Sequence, residues 1–281
     1  MAIPARLRPY VASLQVYDVV FAHGPGVHVG MPSTTVTSVL PLDEPLHVAW
    51  ADDPSSRSRT WASVSGIHAR PAAIHHTGTQ RGIQLALTTA GARVLFGVPA
   101  RELAGELLDL ADVDPAMADL PDRLTGARAE ARVGVVCGAL TTALRHHDAP
   151  GPRAEVGRAL ALLTRGARVA QVAADVGYSR RRLSTLVRDE VGVTPQGFHR
   201  LGRFERSHTA MRRRSLSGRV SITDVAAECG YADHAHLTRE WVELAGCTPT
   251  AWLREEFPIV QAGTGSDAGG WGQRTHPKES P

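Results

Sequence analysis

The second half of the chain contains a duplicated segment, and a duplication constrains the fold more than any single motif does. "VAADVGYSRRRLSTLVRDEVGVTPQGF" begins at Val172, and "VAAECGYADHAHLTREWVELAGCTPTAW" begins at Val225. Val-Ala-Ala, Gly-Tyr, Leu, Gly and Thr-Pro recur in the same order, followed by an aromatic residue at Phe198 and Trp252. The offset is 53 residues up to the tyrosine and 54 residues after it, so the extra residue, Ala232, falls in a turn.

Each copy has the pattern of a helix-turn-helix. The first helices are predicted over 169–176 and 223–229, the second of them capped by Ser221 or Thr223. Gly177 and Gly230 follow, where a helix ends in a left-handed residue. Ser179 and Asp233 are predicted N-caps of the second helices. The buried stripes of those second helices repeat at helical spacing, with Leu183, Leu186 and Val187 in the first copy and Leu237, Trp241 and Leu244 in the second.

A long helix is predicted between the two copies. Thr194 is its N-cap and Pro195 occupies its first turn, after which "QGFHRLGRFERSHTAMRRR" continues without a break. About 18 residues at ~1.5 Å each give a rod of roughly 27 Å. Neighbouring major-groove segments on one side of DNA are about 34–36 Å apart. The helix is therefore predicted to hold two recognition helices over consecutive major grooves.

The duplicated segment resembles the double helix-turn-helix of AraC/XylS-type transcription regulators, over residues 154–257. The second copy is the more similar, through its Gly-Tyr corner and its Gly-Cys-Thr-Pro end. The family usually has aromatic residues at two nearby positions where this chain has His236 and Trp241, so only one of them keeps the pattern. The resemblance implies a sequence-specific regulator that binds double-stranded DNA and, if it is an activator, RNA polymerase.

The N-terminal region is predicted to be an α+β domain, which makes the whole chain an α+β domain followed by an all-α domain with two helix-turn-helix motifs. Alternation predicts short strands over 27–30, 34–42, 46–50, 61–69, 71–77 and 82–89. Helical spacing follows over 90–97, 99–111, 117–126 and 127–147. The predicted organisation is an effector-binding or dimerisation domain (1–147), a linker (148–153), a DNA-binding domain (154–257) and a disordered tail rich in Gly, Ser and Pro (258–281).

A second resemblance concerns the N-terminal domain. "GIQLALTTAGARVLFGVPARELAG" (82–105), together with "LRPYVASL" near the start, resembles the N-terminal domain of some actinobacterial AraC/XylS-type members. The resemblance implies a module that senses a small-molecule effector or forms a homodimer. Two alternatives remain open: a constitutive DNA-binding protein whose N-terminal domain only dimerises, and a DNA-binding unit fused to an enzymatic domain.

Side chains on the outer face of a recognition helix near its N-terminus reach base edges. Arg181 is the predicted base reader, because arginine pairs bidentately with guanine. The full set of predicted DNA contacts is Arg180, Arg181, Arg182, Ser184, Thr185 and Arg188 in the first copy and His234, Thr238 and Arg239 in the second. Phosphate contacts are predicted for Arg188, Arg203 and the run Arg212–Arg214. Three consecutive arginines are, by themselves, more often a solvated helix face; the duplication favours DNA contact instead.

Charge and cysteine content agree with this interpretation. Residues 1–152 hold 12 basic against 14 acidic residues, whereas residues 153–256 hold 17 against 12, so the positive excess lies in the predicted DNA-binding part. Three cysteines without a CxxC pair, and no apolar run of membrane-spanning length, favour a cytoplasmic location away from membranes. His68, His75 and His76 lack supporting carboxylates or cysteines, so no metal site is predicted. No cofactor, catalytic residue or enzymatic activity is predicted either.

Overall fold

Two antiparallel sheets make up most of the N-terminal half of the computed structural model, which describes residues 3–21, 24–147, 151–216 and 220–254. One sheet has five strands in the order β1-β8-β3-β6-β9, and the other has four in the order β2-β7-β4-β5. The strands are β1 (Val11–Val20), β2 (Gly26–Gly30), β3 (Val36–Pro41), β4 (Leu46–Trp50), β5 (Asp53–Thr60), β6 (Ser63–Ser65), β7 (Ala72–His76), β8 (Thr79–Leu87) and β9 (Leu107–Asp109).

The two sheets face each other across an apolar layer. Leu46, Val48 and Trp50 project from β4 of the smaller sheet, and Val39 of β3 packs against them from the larger one. β1 pairs with β8 in antiparallel register, and because it stands first in the strand order it is an edge strand of the five-stranded sheet. This is a sandwich whose inner faces supply the buried side chains and whose outer faces meet solvent or helices.

Three strands lie outside the predicted set: β1, β5 and β9. β9 falls inside the segment predicted as a helix over 99–111. Gly105, at φ +77°, ends the helical turn before it, and the Gly105 N–H donates to the carbonyl of Ile67 at 3.0 Å. The chain then pairs with β6 in antiparallel register. β6 lies some forty residues earlier in the chain, and pairing with it overrides the local helical spacing. Sequence periodicity reports only on neighbouring residues, so it cannot reveal this pairing.

Five helices belong to the N-terminal half and six follow it, as far as the described residues extend. The first group is α1 (Thr89–Phe96), α2 (Ala100–Leu103), α3 (Leu110–Val113), α4 (Leu120–Thr125) and α5 (Arg132–His146). The second is α6 (Ala154–Thr164), α7 (Val169–Asp175), α8 (Arg180–Val191), α9 (Pro195–Ser215), α10 (Ile222–Cys229) and α11 (His234–Ala245). The predicted fold class, a sheet-rich α+β region followed by a helical region with two helix-turn-helix motifs, is confirmed.

Most of the buried apolar side chains of both halves form one continuous cluster. It runs from Leu7 near the N-terminus through Leu95 and Leu140 to Leu163 and Trp252. The sheet-rich region is therefore packed directly against the helical region. The predicted linker is described only from residue 151 onward, and the predicted tail, 258–281, lies outside the described residues. Within the described ranges, no helix is long and apolar enough to cross a membrane.

Candidate DNA-binding surface

The N-terminal end of α8 is fixed by its cap. Ser179 Oγ accepts a hydrogen bond from the Arg182 amide at 3.1 Å, as predicted for an N-cap, and Gly177 before it has a φ of +72°. Leu183 and Val187 are fully buried, so they set the inward face of the helix. As a result Arg180, Arg181 and Arg182 occupy the first turn with their side chains exposed.

The charge of this first turn does not serve the stability of the helix. The N-terminus of a helix carries partial positive charge, so cations there are unfavourable by about 0.3–1 kcal/mol each and anions are favourable. The first turn of α8 contains no acidic residue and three arginines. The unpaired backbone N–H groups of a helix N-terminus also bind phosphate. The three arginines at this N-terminus therefore favour binding of an anionic partner, although they do not stabilise the helix in the protein alone.

Farther along α8, the other predicted contacts lie at different depths. Ser184 is half-buried, whereas Thr185 is exposed and its hydroxyl donates to the carbonyl of Arg181 at 3.2 Å. A base contact by that hydroxyl would have to replace this bond within the helix. Arg188 is exposed two turns from the start of the helix.

The second recognition helix, α11, is built in the same way. Asp233 accepts a hydrogen bond from the His236 amide at 2.7 Å, which confirms the predicted N-cap. His234 is the first residue of the helix and is exposed, and its Nε2 lies 3.4 Å from the hydroxyl of half-buried Thr238. Arg239 is exposed beside Thr238. The structure thus brings the three predicted residues of this copy onto one outer face.

The exposed arginines of the two recognition helices have no acidic partner among the described residues. Arg180, Arg181, Arg182, Arg188 and Arg239 form no ion pair with any residue in the described part of the chain. The arginines that do pair are held within the domain, for example Arg158 with Asp175, Arg203 with Glu240 and Arg213 with Glu228. The exposed arginines of α8 and α11 are therefore not engaged in ion pairs with the described part of the chain.

The prediction of a phosphate contact by Arg203 is wrong. Its side chain is only 15% exposed, its guanidinium lies over the Tyr231 ring at 4.5 Å, and its Nε donates to Glu240 Oε1 at 3.1 Å. Of the predicted run 212–214, Arg213 and Arg214 donate to the two carboxylate oxygens of Glu228 on α10, at 3.0 and 2.7 Å. Arg213 and Arg214 lie on α9 and Glu228 lies on α10, so these ion pairs hold the two helices together.

Glu240 is the structural centre of the second motif, and the sequence reading did not single it out. Its carboxylate accepts from Arg200 and Arg203 of α9 and from the Tyr231 hydroxyl at 2.8 Å. Burial, and then the Glu240 charge, raise the pKa of Tyr231, so the phenol stays a donor. In the repeat, Glu240 matches Leu186. The signal available in the sequence was a carboxylate at a position where the other copy has an apolar residue, which indicates a buried polar partner.

Two further contacts keep α11 in place beside that carboxylate. Trp241 Nε1 donates to Ser207 Oγ of α9 at 2.9 Å, in a buried position. His236, where an aromatic residue is usual, turns its ring edge-on to Tyr231 with the centroids 5.2 Å apart. Its Nδ1 also accepts from the Ala232 amide at 3.3 Å. The imidazole thus occupies the aromatic position and stabilises the turn as well.

The C-terminal ends of both recognition helices contact the sheet-rich region. Arg93 of α1 makes a two-point ion pair with Glu190 of α8, with Nη2–Oε2 and Nε–Oε1 distances of 2.8 and 3.3 Å. Arg101 of α2 donates to the carbonyl of Asp189 at 2.6 Å. At the other helix, a Cβ added to Gly246 would meet Pro71 Cγ at 3.6 Å. The N-terminal half thus holds the end of α8 opposite the exposed arginines and lies close to the corresponding end of α11.

A further contact joins this region to the middle of α9. The Thr34 hydroxyl donates to Glu205 Oε2 at 2.7 Å. Burial raises the pKa of Glu205, and the hydrogen bonds from Thr34 oppose that rise. Glu190, which pairs with Arg93, matches Leu244 of the second copy. A charged residue at a position that is apolar in the other copy was therefore a second signal in the sequence, and it indicated an ion-pair partner outside the repeat.

A cavity of about 130 Å³ lies between the two sheets of the N-terminal half. His68, one of the histidines considered as a metal ligand, lines it, with Nδ1 2.6 Å from the carbonyl of Arg70. His76 instead stacks on the Phe21 ring, with centroids 3.5 Å apart. No group of three or more His, Cys, Asp or Glu side chains among the described residues is placed to hold a metal ion.

Comparison with protein families identifies the helical region. A family model described as "Helix-turn-helix domain" matches residues 172–255, a range that contains both copies of the duplicated segment. The chain has no match among the curated proteins.

Solved structures extend the comparison to the whole fold. ToxT from Vibrio cholerae O395 is 12% identical, with a TM-score of 0.52 over 90% of this chain and 98% of that one. ToxT bound to (E)-4-(8-methylnaphthalen-1-yl)but-3-enoic acid is 11% identical, with a TM-score of 0.50 over 86% and 98%. A transcriptional regulator from Chromobacterium violaceum, described as containing an AraC-type DNA-binding domain, is 19% identical over 40% of this chain and 95% of that one, with a TM-score of 0.33. Residues 172–255 therefore form a helix-turn-helix domain of AraC type, C-terminal to a sheet-rich domain, and the chain as a whole shares its fold with ToxT.

Proposed function

We propose that this protein is a sequence-specific transcription regulator that places α8 and α11 in neighbouring major-groove segments of double-stranded DNA. The observation that carries this proposal is the presence, on both capped recognition helices of one chain, of exposed cations without an acidic partner in the described residues. α9, which joins the two motifs, has 21 residues, or roughly 31 Å at ~1.5 Å each. That length is close to the separation of about 34–36 Å between successive major-groove faces.

The residues of α8 then have different roles. Arg181 reads a base edge, because a guanidinium can donate two parallel hydrogen bonds to guanine. Arg180, Arg182 and Arg188 contact phosphates on either side and so fix the register of the helix. Ser184 and Thr185 are permissive neighbours of the base reader. In α11, His234, Thr238 and Arg239 form the corresponding surface.

We further propose that residues 1–147 form a domain that binds an effector and controls residues 154–257. A ToxT structure with a similar fold is bound to a small organic acid, and this chain has a cavity between the sheets of its N-terminal half. The strands around the cavity lead directly to the contacts with the helical region. Pro71, which approaches Gly246, precedes cavity-lining Ala72; Arg101 lies six residues before cavity-lining Leu107. An effector that shifts these strands would move the C-terminal end of α8, which they hold, and that of α11, which they approach.

Replacing Arg93 by methionine is expected to free the last turn of α8. Charge-assisted hydrogen bonds contribute about 1.5–3 kcal/mol, so amide hydrogen exchange at residues 188–191 should accelerate about tenfold or more. Exchange in the last turn of α11 is the internal control, since Arg93 does not contact it. Arg123→Met, which breaks the exposed pair with Asp119, is the matched control variant. Unchanged exchange at 188–191 in the Arg93 variant would contradict the coupling.

The proposed DNA recognition is tested by selecting random duplexes with the full chain. The expected result is a bipartite site whose halves are spaced by about one helical turn, 10–10.5 base pairs. Absence of sequence enrichment would overturn the proposal. A site made of two such bipartite elements would instead point to a dimer on DNA, for which the exposed edge strand β1, with Val16 and Val20 exposed, is the candidate contact.

An enzymatic role for the cysteines receives no support from their surroundings. Cys137 and Cys229 are buried, and burial raises the pKa of both thiols. A nucleophilic cysteine needs the opposite shift, since the thiolate is the reactive form. Ligand-controlled DNA binding is therefore the function that the geometry supports best.

A further inference from the structure

The cavity between the sheets has one polar wall, formed by the five-stranded sheet. Gln15 of β1 lies directly opposite Gln84 of β8, and the same row continues through Val39 of β3 to Ser63 of β6. All four residues line the cavity. In the adjacent row, cavity-lining Thr37 and Ser65 are likewise opposite each other. Amide and hydroxyl groups therefore follow this wall in register.

The opposite wall is mostly apolar and belongs to the four-stranded sheet. Its central row consists of His28, Ile74 and Val48, which are direct cross-strand partners. Leu46 and Val29 extend the apolar surface on either side of this row. A molecule between the walls would thus meet hydrogen-bonding groups on one face and hydrocarbon on the other.

Charge is missing from both walls. Among the described residues that line the cavity there is no Lys, Arg, Asp or Glu. Burial, and then the charge of His76, lower the pKa of His28 to about 3, and burial raises the pKa of Tyr17, so both side chains are neutral at physiological pH. The nearby Arg70 guanidinium is held outside, over the Trp50 ring at 4.5 Å and 3.3 Å from Asp52.

Two buried polar atoms of the cavity walls have no hydrogen-bond partner in the described part of the chain: His28 Nδ1 on the apolar wall and Ser65 Oγ on the polar one. Buried polar groups are nearly always hydrogen-bonded in native proteins, and each exception calls for an explanation. A bound molecule that bonds to these atoms would supply the missing partners from inside the cavity.

We propose that this cavity takes an uncharged, ring-sized molecule whose apolar face lies on the His28–Ile74–Val48 row and whose hydrogen-bonding groups face Ser65 and the two glutamines. The proposal rests on the effector role given above to the N-terminal domain and names the class of effector. The volume of about 130 Å³ approaches that of an engineered cavity of about 150 Å³ that binds benzene. An ionised ligand would lose its hydration and find no counter-charge on the walls.

Three single-ring probes that differ in charge test the class of ligand: benzamide, benzoate and benzylammonium. Each is titrated into the full chain without DNA, and the methyl resonances of Val48 and Ile74 report binding in the cavity. We expect benzamide to shift these resonances and to bind about tenfold or more tightly than either ion. Each ion must give up its hydration shell on entering the cavity, and the walls offer no counter-charge in return. A preference for benzoate or benzylammonium in the cavity would overturn the uncharged class while leaving an effector cavity in place.

Ser65→Ala and Ser38→Ala form a matched pair of variants. Both serine hydroxyls are buried without a hydrogen-bond partner in the described residues, but only Ser65 lines the cavity. Ser65→Ala should weaken benzamide binding about fivefold, the effect of one neutral hydrogen bond, and Ser38→Ala should leave it unchanged. Equal effects of the two variants, or no probe in the cavity, would overturn the proposal. DNA selection by the same protein is measured separately, so the regulator function is judged independently.

Discussion

Replacing Glu240 by alanine is expected to lower the free energy of unfolding of the helical region by about 3–5 kcal/mol, because it leaves a buried cation without its partner. The Glu240 side chain is only 5% exposed and accepts from Arg203, Arg200 and Tyr231. Without it, the Arg203 guanidinium stays buried over the Tyr231 ring, unable to regain its hydration. Urea denaturation followed by tryptophan fluorescence measures the change, since Trp241 and Trp252 lie in the same cluster.

Glu243 provides the matched control. It also pairs with Arg200, but its side chain is 64% exposed, so Glu243→Ala should cost no more than about 1 kcal/mol. The double variant Arg203→Met with Glu240→Leu removes both charges and should recover most of the loss, because apolar residues of similar volume often replace a buried ion pair without net cost. Equal effects of the two single glutamate variants would show that the buried network does not hold α11.

Replacing Arg181 by alanine is expected to weaken binding to the selected DNA site by about 1–3 kcal/mol, or roughly 5- to 150-fold, and to relax the preference at one base pair. The reason is that Arg181 lies in the capped first turn of α8 and has no acidic partner among the described residues. Titration of the full chain with the selected site, with single-base variants of that site and with a random duplex measures both effects.

Arg188 is the comparison for Arg181 on the same helix. A phosphate contact carries no base information, so Arg188→Ala should weaken selected and random duplexes alike and reduce the salt dependence by about one counterion. If Arg181→Ala behaved in the same way, Arg181 would be a phosphate contact and another side chain would read the base.

The two halves of the DNA site should also differ in sequence. Ser179 and Asp233 are both N-caps, which aligns the two recognition helices residue by residue. In that alignment Arg181 matches Ala235, and Arg180 matches His234. A guanidinium favours guanine, whereas a methyl group makes only apolar contact, for example with the thymine methyl. The first half-site is therefore expected to require a guanine that the second does not.

The double helix-turn-helix was predictable because its signals are local and occur twice. Caps, left-handed glycines and the 3.6-residue period act within a few residues of one another, so Ser179, Gly230 and the stripe around Leu237 could be assigned from the chain alone. The strands β5 and β9 were missed because their residues have weak local preference and gain their conformation from partners elsewhere in the sheet.

The sequence by itself determined the two recognition helices, the long helix between them and the arginines on the outer face of α8, since helix phase decides which side chains point outward. Only the tertiary structure decided which charges are available: Arg203 is held by Glu240, and Glu190 by Arg93, across distances in the chain that no periodicity spans. The same holds for the cavity, whose walls come from two sheets assembled from strands far apart in sequence. A charge on a helix becomes a DNA contact or an internal pair according to what the fold packs beside it.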